Sequence, residues 1–138
     1  MAKRKDRVVI DTNLWISFLL TSDLVKLDRF LENNLATLLF SDELLNEFVE
    51  VARRPKFRKY FTANDLQDLL LRIREKAEFI KVTSTTDACR DIKDNFLLAL
   101  AIDGKATHVL TGDKDLLELH PFEGIQVLPI ATYLGAAE

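Results

Sequence analysis

Short apolar runs alternate with longer stretches of helical period along this chain, and that alternation is its strongest constraint. The runs fall at residues 7–10, 35–40, 79–82, 108–110 and 125–128. Within them apolar residues occupy successive rather than alternate positions, which marks strands covered on both faces, as in a parallel sheet. Helices are expected over residues 13–20, 24–33, about 42–54, 63–78, 94–103 and 114–119, with a last short one from about residue 129. Ser41 and Thr62 offer N-caps, Asp42 and Glu43 match the dipole of a helix start, Pro55 blocks continuation, and Gly104 closes the helix before it. The fold class is therefore α/β, a parallel sheet of about five strands flanked by helices. In such sheets ligands gather beyond the carboxyl ends of the strands.

Composition bounds the rest. The 138 residues show no repeat or composition break, so one domain over residues 1–138 is expected. One cysteine and two distant histidines exclude a disulfide framework, a thiolate zinc cluster and a histidine-rich metal site. No apolar run approaches the roughly 20 residues that span a bilayer. The basic start meets only Val8, Val9 and Ile10 before Asp11, which does not read as a signal peptide. A cytoplasmic protein with no membrane partner is expected. The net charge of −3 supplies no global field for nucleic acid, so any such contact must be local.

The acids are placed where a parallel sheet presents ligand groups. Asp11 directly follows Val-Val-Ile, and Asp113 follows His-Val-Leu-Thr-Gly. Asp94 opens an almost wholly apolar helix, with Asp87 and Asp91 just ahead of it, and Glu47 lies on the edge of an apolar stripe beside Val51. Each alone serves equally well as a cap or a solvated side chain. Together they exceed what capping needs, and carboxylates packed together repel unless a cation joins them. Oxygen-only ligation points to Mg²⁺ or Mn²⁺, and the chemistry best served is attack of metal-activated water on a phosphodiester.

Arg53, Arg54, Lys56, Arg58 and Lys59 place five positive charges in seven residues, with Phe57, Tyr60 and Phe61 interleaved. Cations meet phosphates and rings stack on unpaired bases, so this run is the candidate RNA-binding surface beside Glu47. A solvated loop anchored by its aromatics is the plainer alternative. Trp15, Phe18 and Leu19 read as core, Cys89 as an incidental thiol, and His108 and His120 as outside any site.

Four segments, Val-Ile-Asp11-Thr-Asn, Leu-Leu-Asn-Glu47-Phe, Asp91-Ile-Lys-Asp94-Asn-Phe-Leu-Leu-Ala-Leu-Ala and Val-Leu-Thr111-Gly-Asp113-Lys-Asp115-Leu-Leu, occur in this order and spacing. In them the chain resembles PIN-domain proteins, and specifically the toxin component of PIN-type (VapC-like) toxin–antitoxin pairs. The resemblance implies a Rossmann-like sheet and a metal-dependent endoribonuclease. It implies catalytic and metal-binding roles for Asp11, Glu47, Asp94 and Asp113, with Asp115 an accessory metal ligand. Thr12, Asn13, Asp91 and Thr111 fall to supporting roles. It also implies RNA as substrate, a cognate antitoxin and a homodimer. Gly112 stands where many members carry Arg, which removes one phosphate contact. Two other readings compete: a degenerate PIN domain that binds RNA or protein without cleaving, and a haloacid-dehalogenase-type phosphatase, in which Asn13 would replace the second Asp of Asp-x-Asp and lose the general acid.

Overall fold

The first strand, β1 (Asp6–Ile10), is the centre of the sheet in the computed structural model, which describes residues 5–21 and 36–137. Beside it runs β2 (Ala36–Phe40), then β3 (Glu78–Phe79); on its other side run β4 (His108–Leu110) and β5 (Gln126–Leu128). All four pairings are parallel, in the order β3-β2-β1-β4-β5, with Val8 opposite both Leu38 and His108 and Ile10 opposite Leu110. Strand order reverses at β1, so the crevice between the carboxyl ends of β1 and β4 is the switch point where such folds take ligands.

Helices α1 (Thr12–Thr21), α2 (Asp42–Ala52), α3 (Ala63–Lys76), α4 (Ile92–Asp103), α5 (Lys114–Leu117) and α6 (Ile130–Ala137) follow in chain order. Their starts obey the capping chemistry of the sequence. Ser41 accepts the Leu44 N–H at 3.0 Å, and Thr62 and Asp65 form a reciprocal capping box. Val8, Val9, Ile10, Leu98, Leu100, Val109 and Leu110 are fully or almost fully buried, as strands and a helix apolar all round require. Trp15 packs against Phe18, Phe40 and Phe48 in the same core; its indole N–H has no hydrogen-bond partner among the described residues.

Several expected boundaries move. The expected helix over residues 24–33 lies outside the described residues. The third strand shortens from four residues to Glu78–Phe79, although the Ile80 N–H still reaches the Phe40 carbonyl at 2.7 Å. Helix α3 ends at Lys76 and α5 at Leu117, each two residues early. Helix α2 ends at Ala52, and a 3₁₀ turn at Pro55–Phe57 follows. Helix α4 starts at Ile92 rather than Asp94, because the Asp91 side chain caps it by accepting the Lys93 N–H at 2.9 Å.

Gly104 does close α4, but at φ −82°, with the left-handed turn taken by Lys105 at φ 54°. Its need for glycine is steric. A Cβ there would stand 2.8 Å from Leu39 Cδ1 and 3.1 Å from the Leu100 carbonyl oxygen.

Between β3 and α4 the chain runs without regular structure, tied to α4 at both ends. The Asp103 carboxylate accepts the Thr83 N–H at 2.6 Å, the Ser84 N–H at 2.9 Å and the Ser84 hydroxyl. At the other end Asn95 brackets Cys89, accepting its N–H at 2.7 Å and donating to its carbonyl at 2.8 Å.

Candidate active site

Asp11 leaves the end of β1 and is 8% exposed, a buried carboxylate that must be hydrogen-bonded to be tolerated. It is: one oxygen accepts the Asn13 N–H at 3.1 Å and the other the Thr111 hydroxyl at 2.8 Å. Its own N–H donates to the Leu110 carbonyl at 3.0 Å, which stitches β1 to β4 up to the rim. Thr111 is fully buried and also accepts the Asp113 N–H at 3.0 Å, so one hydroxyl joins the Asp11 carboxylate to the Asp113 turn. Thr12 is buried and Asn13 exposed at the start of α1.

Asp94 lies in the first turn of α4, held near the core by the apolar residues behind it. Its carboxyl is pushed up to about 6, first by burial and then by the negative charges of Asp113, Asp91 and Asp11. Asp91 caps the same helix, but Asp11 and Asp113 follow β1 and β4, so their action on Asp94 brings the start of α4 to the rim those strands form. Glu47, half-buried on α2, is also raised, chiefly by burial; Lys93 opposes this while Asp11, Asp91 and Glu50 add to it. Asp113 caps α5 by accepting the Asp115 N–H at 2.8 Å, and the Asp115 side chain is exposed beside it.

No group of three or more His, Cys, Asp or Glu side chains among the described residues is gathered tightly enough to hold an ion as they lie. The carboxylates act on one another through their fields, not through shared contact. Their donor set is nevertheless all oxygen, the kind that suits a hard divalent cation. The nearby thiol does not compete: burial raises Cys89 above its ordinary range.

Three neighbours were not legible as site residues. Lys93 is the cation that acts on Glu47. Cys89 donates its thiol to Asp94 Oδ2 at 3.6 Å, and Asn95 fixes the Cys89 backbone. The adjacency of Lys93 and Asn95 to Asp94 was the available signal, but the side each would face was not.

The members of the basic run, all exposed, make different contacts. Arg53 and Arg58 line a cleft against α3, while Lys56 lies over the Phe57 ring and Lys59 over the Tyr60 ring. Arg53 falls six residues after Glu47, about 120° round the helix from it. Arg54 and the two lysines are exposed and line neither that cleft nor the rim's hydrogen-bond network.

The PIN domain family profile matches residues 7–115, which takes in all four acids and the strands that carry Asp11 and Asp113. The uncharacterized protein MJ1680 of Methanocaldococcus jannaschii is 33% identical over 123 residues, covering 86% of this chain and 78% of its own length. PIN domains are generally nucleases, and they typically use divalent metals. With a five-stranded parallel sheet that carries Asp11 and Asp113 just after the two strands of the switch point, and with this match over most of its length, the chain belongs to the PIN-domain family.

Proposed function

We propose that this chain is an Mg²⁺- or Mn²⁺-dependent endoribonuclease and the toxin of a toxin–antitoxin pair. The observation that carries the reading is the gathering of Asp11, Asp94, Asp113 and Glu47 around one rim, where the charges of several carboxylates act on Asp94 and Glu47. Like charges held together without compensation are costly, and a divalent cation is the partner that relieves them. Asp11, Glu47, Asp94 and Asp113 would hold it, with Asp115 at the margin. When bound, such an ion supplies Lewis-acid activation of water against a phosphodiester.

The chain's own residues do the positioning. Thr111 and the Asn13 N–H fix both oxygens of Asp11. Asp91 sets the start of α4, which aims Asp94 at the rim. Lys93 neutralises part of the field at Glu47 and is placed to meet a phosphate. Family membership leaves the haloacid-dehalogenase reading without support.

RNA is the substrate in this reading, an encoded antitoxin covers the acidic rim, and the active form is a homodimer. The test is cleavage of total cellular RNA by the purified chain with Mg²⁺, Mn²⁺ or excess chelator, followed by mapping of the cut ends. Defined cuts that vanish in chelator are expected. Cleavage undiminished by chelator sinks the metal-dependent reading; no cleavage with either metal sinks the enzymatic reading and leaves a binding module. Growth arrest on expression, reversed by a neighbouring gene, tests the toxin role; scattering in solution tests the dimer.

A further inference from the structure

Arg53, Arg58 and Arg74 converge on a cleft of about 660 Å³ between the end of α2, the segment after it and α3. They arrive from three places: Arg53 caps α2, Arg58 follows the 3₁₀ turn, and Arg74 lies in the last turn of α3. No carboxylate lines the cleft, and none of these three guanidinium groups is in an ion pair among the described residues. The remaining wall is largely apolar, including Phe61 and Leu70, with the carboxamide side chain of Gln67 beside them. Three cations thus line one cleft with no carboxylate in its wall, and this in a chain whose net charge is −3. The cleft is built for an anion with an apolar body.

Size and charge narrow the class. The volume falls within the roughly 300–1,000 Å³ of small-ligand sites. Three guanidinium groups exceed what one carboxylate needs but suit a phosphate monoester, which carries about −1.5 to −2 and accepts their forked hydrogen bonds. A bare phosphate would leave the apolar wall unused. A base would cover it and offer its edge to Gln67, an amide suited to paired hydrogen bonds with bases.

We infer that the cleft between α2 and α3 binds a nucleoside phosphate, with the phosphate among Arg53, Arg58 and Arg74 and the base against Phe61, Leu70 and Gln67. It is a second site, on the side of α2 turned about 120° from Glu47, and it does not depend on the acidic rim or on any metal. The nucleoside phosphate is either a free mononucleotide or one nucleotide of a strand.

The test is calorimetric titration of the full chain in chelator with adenosine and uridine 5′-monophosphates, inorganic phosphate, a Glu-rich peptide and a ten-nucleotide RNA. A nucleotide is expected to bind at least about tenfold more tightly than inorganic phosphate, and Arg74→Ala to weaken it about tenfold, with a flatter salt dependence. Gln67→Ala, an exposed position on the same wall, is expected to change the preference between the two bases while leaving inorganic phosphate untouched. Binding unchanged in Asp11→Asn separates this site from the rim, so either can fail alone. Tight mononucleotide binding that the RNA does not displace assigns the site to free nucleotide; displacement by RNA assigns it to a strand. Equal affinity for nucleotide and inorganic phosphate, equal displacement by the Glu-rich peptide, or indifference to both substitutions overturns the inference.

Discussion

The two ends of the sheet are built from the same strands and treat charge in opposite ways. At the amino end, Arg7 pairs with Glu78 at 2.6 Å and donates from Nε to the Gly104 carbonyl at 2.8 Å. The Thr107 hydroxyl bridges the Arg7 backbone, and the Tyr133 hydroxyl donates to Asp6 at 2.6 Å. His108 lies edge-on to Tyr133, and burial holds its pKa below the ordinary value against the opposing charge of Asp6. At the carboxyl end, Asp11, Asp94, Asp113, Asp91 and Glu47 act on one another with Lys93 as the cation facing Glu47. Paired polar groups hold a fold together; like charges left facing one another cost stability and are tolerated where a ligand will answer them.

The sharpest way to break this contrast is to neutralise the rim. Asp11→Asn or Asp94→Asn is expected to lower metal-dependent RNA cleavage by about 10²–10³-fold, the scale of losing one electrostatic contact at a reacting centre. The same change at Asp94 should leave the metal-free fold as stable or more stable, because repulsion is relieved. Cleavage at full rate in either variant removes the carboxyl end from the chemistry. The amino end should respond the other way. Gly104→Ala is expected to cost about 1–3 kcal/mol of stability, since Leu39 and the Leu100 carbonyl must give way. Tyr133→Phe, which leaves Asp6 without that donor, should cost about 1–2 kcal/mol. Denaturant titration measures both, and cleavage per folded molecule should be unchanged.

Stability against pH separates the ends further. Asp94 keeps its proton to about 6 in the fold, against 3.8 ordinarily, so the folded state binds more protons than the unfolded one in that window. The resulting stabilisation is full below about 3.8 and is lost as pH rises through about 6. After allowance for solvent screening the loss is about 1 kcal/mol. Thermal unfolding without metal from pH 4 to 7 should show it in the parent chain and a flatter profile in Asp94→Asn. The smallest effect is expected at Cys89→Ala, which removes the thiol donor to Asp94: about threefold weaker Mn²⁺ binding, read by calorimetry. A larger fall from Asn95→Ala than from Cys89→Ala would place the backbone bracket above the thiol in holding Asp94.

What could be read from the sequence was whatever had a local signal. A β-branched run followed at once by Asp fixed where Asp11 would stand, and a helix apolar on every side fixed that α4 would be buried. The α/β parallel architecture followed from the same alternation. The starting residue of α4 was misjudged because Asp91 and Asp94 are both plausible caps, and only the hydrogen bond to Lys93 decides between them. The reason for Gly104 was invisible because its clash is with Leu39, 65 positions away in the chain. Likewise the separate contacts of the five cations were not legible: Arg53 and Arg58 line the α3 cleft, while Lys56 and Lys59 lie over aromatic rings. Spacing along a chain carries no direction once the helix ends.

The double fastening of the segment before α4 has a consequence for engineering. Asp103 grips residues 83 and 84, and Asn95 grips residue 89, so both anchors belong to the same rigid rod. Residues 85–88 form a bridge whose piers do not move when the span is lengthened. Doubling such a loop costs only about 0.6 kcal/mol of closure entropy. A reporter peptide or affinity tag grafted there should leave Asp94 aimed where it is, whereas the same graft two residues later would pull on the Asn95 anchor itself.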